Sequence, residues 1–176
     1  MIDRIASVRA LVLLTLLAIL FPVAIFPAAG IGDITPLDLY FSYSPDQVYQ
    51  YLGELGAKGR IAYARMELTT DLLFPVVYSL ALTVALTMGA RRILSPDNRL
   101  QHLRFLPLLI VISDWCENLS LAVVTGAFPD RLDAIASAAR LFTSAKWTFL
   151  ILVVITLVTA GTLAVTKQFR ERSVRR

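Results

Sequence analysis

The chain has 176 residues, of which 57% are hydrophobic and 17% are charged, and its formal net charge is +4. Soluble domains contain about 45–50% apolar and about 25% charged residues, so this composition argues against an ordinary soluble globule and against a disordered chain. The basic residues flank apolar runs and form no stripe with interleaved aromatic residues, which argues against nucleic acid as a partner.

Four apolar runs predict four membrane spans in a single domain, 1–176. The runs cover about 10–29, 68–90, 103–128 and 141–166. Each can cross a hydrocarbon core of ~30 Å at ~1.5 Å per residue. Backbone groups find no water in lipid, and long runs without two-residue alternation favour helices over a barrel. The sequence therefore predicts an all-α membrane protein, built as a four-transmembrane-helix bundle with a basic tail over 167–176.

The first run also has features of a secretory signal peptide. Arg4 and Arg9 precede it, and the small residues Ala28-Ala29-Gly30 follow it. Its apolar stretch is nearer 20 residues than the usual 7–15, which favours a retained span and leaves cleavage as the alternative. Pro22 and Pro27 should bend or end this helix.

The segment 31–67 separates the first two runs. Residues from Ser44 to Gly56 within it predict a short amphipathic helix. Ser44 is a good N-cap before Pro45, and Gly56 is a plausible end. Between them, one helix face carries Val48, Leu52 and Leu55, so the helix should lie on the outer surface or cap the bundle.

This outer segment holds five of the six tyrosines, Tyr40, Tyr43, Tyr49, Tyr51 and Tyr63. Tyrosine is enriched at membrane–water interfaces, so we interpret them as part of an interfacial aromatic belt. A lid that faces a ligand is the alternative.

Lysine and arginine predict the orientation of the spans. With the N-terminus inside, eleven of the 17 basic residues lie in the inner segments, among them Arg91, Arg92 and the tail 167–176. The remaining six lie in the outer segments and outer helix ends, which include the outer loop 129–140 with room for one or two helical turns. Because inner segments carry an excess of Lys and Arg, both termini are predicted in the cytoplasm, with the protein in the cell (inner) membrane and in contact with its lipid.

The third run carries the strongest chemical signal, because two acids and an amide lie near its middle. Asp114, Glu117 and Asn118 fall on one helix face, about eleven residues from either end of the run. On insertion scales, an acid at that depth costs ~3 kcal/mol of free energy, so this face should turn toward protein or a water-filled cavity. Two acids one turn apart should not both be charged there; one should be protonated, or they should share a cation or a proton.

The second and fourth runs offer matching polar residues. Glu67, Asp71, Pro75 and Tyr78 share a face of the second helix, and Pro75 frees the carbonyl of Asp71 as an acceptor. Lys146 of the fourth run could extend toward the outer surface or pair with one of the acids. These residues predict an outward-opening polar pocket. The alternative is a buried polar network that only holds the helices together. Its walls would be Glu67, Asp71, Tyr78, Asp114, Glu117, Asn118 and Lys146.

Several short motifs resemble those of a family of small, uncharacterised four-span bacterial integral membrane proteins. They are Tyr43-Ser44-Pro45, Gly59-Arg60 with Tyr63, Asp71…Pro75…Tyr78 and Asp114-x-x-Glu117-Asn118. The resemblance implies the four-span fold and no particular activity. A looser likeness to sterol isomerase-like membrane folds carries no residues over, because the histidine that such sites use has no counterpart here.

Three functions fit the sequence. The first is a protein whose acidic pocket binds a small hydrophobic or cationic ligand or a proton. Four helices are too few for most carriers, so such a protein would be expected to form a homodimer. The second is an intramembrane acid/base enzyme, isomerase-like or lipid-modifying, with Asp114 or Glu117 near Tyr78. The third is an accessory subunit of a larger complex, with Ala81, Ala85 and Gly89 facing the partner. One cysteine and one histidine argue against disulfide-relay, haem or metal chemistry, so no cofactor and no metal are predicted.

Overall fold

The computed structural model describes residues 5–29 and 34–174. Arg4, Gly30, Arg175 and Arg176, which enter the predictions above, lie outside these residues, as does the start of the segment 31–67. The described residues contain no β-strand and form five α-helices, joined by short 3₁₀ and π-helical turns. The α-helices are α1 (Val8–Leu20), α2 (Pro45–Glu67), α3 (Thr70–Ile93), α4 (Pro107–Ala127) and α5 (Asp133–Val174).

Four stretches of helix are long and apolar enough to cross a membrane, as the sequence predicted. They lie within Val8–Ile25, Pro45–Ile93, Arg99–Ala127 and Asp133–Arg170. The fourth begins earlier than its apolar run, because α5 starts at Asp133. The sequence allowed one or two helical turns within the outer loop 129–140, and the alanine-rich stretch from Asp133 supplies them as the start of α5.

Helix α1 ends where Pro22 predicted a bend. The α-helical pattern stops at Leu20 and continues as a π-helical turn over Phe21–Ile25, closed by the bond from Phe26 N to Phe21 O at 2.9 Å. This turn carries Phe21 and Phe26 against Phe74 of α3, with each ring centroid 5.2 Å from that of Phe74. The end of α1 is thereby fixed to α3.

Helix α2 begins as predicted but does not end at Gly56. The Ser44 side chain accepts from Gln47 N, and the Gln47 side chain accepts from Ser44 N, which completes a capping box. Gly56 (φ 63°, ψ 178°) breaks the helix, and a second helical half then runs to Glu67. The guanidinium of Arg60 donates to Leu52 O across the break at 2.9 Å, so the two halves are held together.

Helix α2 covers one end of the bundle, which we call the α2 end. Val48 and Leu52 are fully buried, and Leu55 packs beside them, so the predicted apolar face caps the bundle. The prediction of an aromatic belt is wrong for Tyr43, Tyr51 and Tyr63, because tertiary packing buries these rings inside the protein. The resulting α2-end cluster comprises Leu37, Tyr43, Val48, Tyr51, Leu52, Tyr63, Met66, Leu121, Val124, Ala136 and Ala139.

A second apolar cluster fills the opposite end of the bundle. This far-end cluster is built on Leu86, Ile110 and Val153, with Leu82, Phe149, Leu150 and Leu157 packed around them. A Cβ added to Gly89 would lie 3.3 Å from the Cβ of Ala160, so this part of the small-residue stripe on α3 packs against α5 of the same chain. Large apolar side chains on the outside of every long helix stay exposed, for example Leu16, Leu80, Ile112 and Val158.

Candidate functional site

Between the two apolar clusters, the structure gathers the polar residues that the sequence singled out. We call this the acid layer, and it comprises Glu67, Asp71, Asp114, Glu117, Asn118 and Lys146. All six are buried, and Glu67, Glu117 and Asn118 have no exposed surface. The seventh predicted residue, Tyr78, is half-buried beside them. Glu67 is the last residue of α2, because the helix is interrupted at Leu68 and Thr69 before α3 begins. The predicted single helix face over Glu67, Asp71, Pro75 and Tyr78 is therefore wrong for Glu67, although the structure still brings the predicted side chains together.

Lys146 of α5 is the cation of the acid layer. Its Nζ lies 2.7 Å from Glu117 Oε2 and 3.8 Å from Asp114 Oδ1, so one ammonium group faces both carboxyl groups of α4. A buried charge is tolerated only when it is paired. The predicted alternative of a lysine reaching for the outer surface is therefore wrong, because its side chain ends at the two acids.

Hydroxyl groups complete the coordination of the two acids of α4. The Thr143 hydroxyl donates to Glu117 Oε1 at 2.6 Å, and the Tyr43 hydroxyl lies 3.5 Å from the same oxygen. The Tyr78 hydroxyl donates to Asp114 Oδ2 at 2.9 Å. Each carboxyl group is thus held from two sides, by the ammonium group and by hydroxyl donors.

Asn118 binds the carbonyl that Pro75 was predicted to free. Proline has no N–H, so the carbonyl four residues earlier, that of Asp71, loses its partner within the helix. The Asn118 side chain donates to this oxygen at 3.0 Å. On the neighbouring turn, the Trp115 indole donates to Leu72 O at 2.8 Å. The turn of α3 before Pro75 is therefore bound to α4 by two hydrogen bonds.

The two acids at the junction of α2 and α3, Glu67 and Asp71, lack comparable partners. Among the residues that the structure describes, neither carboxyl oxygen of Glu67 has a hydrogen-bond partner, and Asp71 Oδ2 also has none. The phenol of Tyr63 lies close to Glu67, but without hydrogen-bond geometry. The acid layer thus contains four carboxyl groups, one ammonium group, and several carboxyl oxygens that no described residue satisfies.

Residues of the segment 34–44 also reach the acid layer, and sequence reasoning missed them. Asp38 lies near enough to act electrostatically on Glu117 and Lys146. The segment is fixed to α5, because the Trp147 indole donates to Asp38 O and the Ser144 hydroxyl donates to Phe41 O, each at 3.0 Å. Asp38 lies in a short 3₁₀ turn, Leu37–Leu39, within a segment that has no periodic pattern. No signal in the sequence pointed to it.

Thr143 and Tyr43 also belong to the site, although neither was among the predicted site residues. Thr143 precedes Lys146 by three residues, a spacing that places both on one face of α5, so its position was available from the sequence. Tyr43 packs against the acid layer instead of facing lipid. Burial and the neighbouring Glu117 carboxyl raise the pKa of the Tyr43 phenol above its ordinary value, so Tyr43 keeps its proton and remains a donor.

The acid layer is closed in this structure. The prediction of an outward-opening pocket, walled by the six residues of this layer and Tyr78, is therefore wrong here. The packing of α2 and the segment 34–44 over the layer excludes it from solvent. A cavity of about 320 Å³ lies instead within this covering part, and we call it the α2 cavity. Its lining is polar and aromatic and includes Tyr40, Tyr43, Gln47, Gln50, Tyr51 and Glu54. Tyr43 lines this cavity and also contacts Glu117 of the acid layer.

Within the described ranges, no group of three or more His, Cys, Asp or Glu side chains is arranged to hold a metal ion. Comparison with known proteins found no matching family model, no matching curated protein and no matching solved structure. The resemblance to small four-span bacterial membrane proteins therefore stays a prediction.

Proposed function

We propose that this chain is a multi-pass protein of the cell (inner) membrane, with the α2 end outside and both termini in the cytoplasm. A location in a lipid bilayer is supported by four helices of spanning length and by the exposed apolar side chains around them. The basic residues Arg91, Arg92 and Lys167 lie at the end opposite α2, which agrees with an excess of positive charge inside.

Labelling with a membrane-impermeant maleimide tests this topology. In a Cys116→Ala background, a cysteine replaces Asp130 of the α4–α5 loop or Ser95 of the loop after α3. We expect the cysteine at 130 to react in intact cells and the cysteine at 95 to react only after permeabilisation. The reverse pattern would invert the topology, and equal reaction of both in intact cells would contradict a membrane location.

We further propose that the acid layer binds protons. The observation that carries this proposal is the imbalance of four buried carboxyl groups against one buried ammonium group. Several uncompensated negative charges in a low-dielectric interior would be very costly, so the layer must take up positive charge. A proton needs no open pocket, whereas the hydrophobic or cationic ligands considered above would need space that the closed layer lacks.

Infrared spectroscopy of the purified protein in lipid tests proton binding. Protonated and ionised carboxyl groups have separate stretching bands, so a pH titration should convert one into the other. We expect Glu117→Gln and Asp114→Asn each to change this difference spectrum. Glu54→Gln, which removes an exposed acid of α2, is the matched control and should leave the buried component unchanged. A wild-type spectrum with no buried carboxyl that titrates would overturn the proposal.

An intramembrane acid/base enzyme is the second candidate, and the contact between Tyr78 and Asp114 favours it, because a phenol and a carboxyl group form a donor–acceptor pair. Native mass spectrometry from mild detergent separates the candidates. A retained lipid or small molecule would favour the enzyme. A stoichiometric protein partner would favour the accessory subunit, and a second copy of the chain would indicate a homodimer.

A further inference from the structure

Tyr43 connects the α2 cavity with the acid layer. Tyr43 is 3% exposed and lines the cavity. Its hydroxyl lies 2.9 Å from Thr143 Oγ1 and 3.5 Å from Glu117 Oε1. The phenol thus stands between a space at the α2 end and the carboxyl group at the centre of the layer.

Thr143 extends this connection to Glu117 by a short hydrogen bond. Its Oγ1 lies 2.6 Å from Glu117 Oε1 and also 2.9 Å from Ala139 O of its own helix. A threonine hydroxyl has one proton and two acceptor lone pairs. Thr143 can therefore accept from Tyr43 while it donates to Glu117, which makes the two hydroxyls consecutive members of one chain.

Beyond Glu117, the polar chain continues and then ends inside the protein. It passes through Lys146 to Asp114 and from Asp114 to the Tyr78 hydroxyl. Tyr78 packs with the far-end cluster, whose core is apolar. The polar chain defined by these contacts therefore reaches a cavity at the α2 end and meets apolar packing at the other.

Charged and titratable groups face Glu117 from every element around it. They are Asp38 and Tyr43 from the segment 34–44, Glu67 from α2, Asp71 from α3, Asp114 from α4 and Lys146 from α5. Among the groups in contact with Glu117, Tyr43 and Thr143 carry no charge. Their hydroxyls can pass a proton along without a permanent change in their own charge.

We propose that Tyr43 and Thr143 form a hydroxyl relay through which Glu117 exchanges protons with the outer side. A proton from water in the α2 cavity binds the Tyr43 oxygen, the former Tyr43 proton moves to Thr143 Oγ1, and the former Thr143 proton moves to Glu117 Oε1. Both hydroxyls end as they began, the carboxyl group gains one proton, and the cavity loses one. This inference rests on the proposed function, because it names the route to the same site.

A pH jump followed by time-resolved infrared spectroscopy tests the relay in Tyr43→Phe and Thr143→Val. The amplitude of the buried carboxyl band at equilibrium should persist in both variants. Its rate of appearance should fall by roughly a hundredfold, the lower end of what a positioned proton-transfer group contributes. The matched control is Tyr40→Phe, which changes an exposed phenol that lines the same cavity outside the polar chain. Its rate should equal that of the wild type.

Thr143→Ser separates a relay from a packing role, because it keeps the hydroxyl and removes only the methyl group. We expect Thr143→Ser to keep the wild-type rate while Thr143→Val loses it. Wild-type rates in both Tyr43→Phe and Thr143→Val would overturn the relay and leave proton binding intact. Absence of a titrating buried band in the wild type itself would overturn both proposals.

Discussion

Replacement of Lys146 by methionine probes the charge balance of the acid layer directly. The ammonium group lies 2.7 Å from one carboxyl oxygen and 3.8 Å from another. At an effective dielectric constant of about 20, these separations correspond to Coulomb energies of about 6 and about 4 kcal/mol. Desolvation of the charges offsets much of this attraction, and removal of one partner from a buried ion pair typically costs about 3–5 kcal/mol. We expect a loss of that size at neutral pH.

The loss should depend on pH and on the acids themselves. When the pH falls and the two carboxyl groups take up protons, they no longer need the ammonium group, so the difference between Lys146→Met and the wild type should shrink. The double variant Lys146→Met/Glu117→Gln should recover part of the lost stability, because it removes the unpaired charge together with its partner. Denaturant unfolding in detergent, followed by circular dichroism, gives the four free energies of the cycle.

Lys167→Met, at the exposed far end of α5, is the matched control and should change the free energy of unfolding by less than about 0.5 kcal/mol. The reasoning would be refuted by a Lys146→Met variant as stable as the wild type, or by additive effects in the double variant. Either result would mean that the lysine and Glu117 do not form a coupled pair.

Two further predictions concern the helices that frame the acid layer. Asn118→Leu leaves the Asp71 carbonyl buried without its donor and should lower the free energy of unfolding by about 1–3 kcal/mol; in a Pro75→Ala background, which restores a backbone N–H, the same substitution should cost clearly less. An equal cost in both backgrounds would contradict the assigned bond. Gly56→Ala places a side chain at φ 63° and ψ 178° and should cost about 1–3 kcal/mol, whereas Gly53→Ala, within the same helix and with open space at its Cβ, should be neutral or stabilising; equal effects at the two positions would argue against the break in α2.

Local chemistry and depth in the apolar runs made several features predictable. The acids of α4 had to face protein, since lipid offers them no partner. Pro75 marked a carbonyl in need of a donor, and Asn118 supplies it. The N-cap at Ser44 followed from adjacent residues alone, and the structure adds Gln47 to complete a capping box. In each case the requirement belongs to one residue and its immediate neighbours, so no tertiary information was needed.

Features that depend on distant contacts were not predictable in the same way. A tyrosine suits both a membrane interface and a protein core, and only packing against α4 and α5 decides that Tyr43 and Tyr63 are buried. Tyr43 meets Thr143 across 100 residues of sequence, from a segment without periodicity. Whether the polar face of α4 meets an open pocket or closed packing likewise depended on where α2 came to rest.

The contact between Glu117 and Lys146 also bears on the order in which α4 and α5 would enter the membrane during synthesis of the chain. In the membrane placement proposed above, α4 alone would carry two acids to mid-bilayer depth, at an insertion cost of about 2.5–3.5 kcal/mol for an aspartate there. The residue that compensates them lies on the next helix, beyond the short turn between Ala127 and Asp133. The nascent chain therefore gains most by partitioning into lipid as an α4–α5 hairpin. A ribosome that has not yet released Lys146 from its exit tunnel would hold α4 at the translocon without its counter-ion.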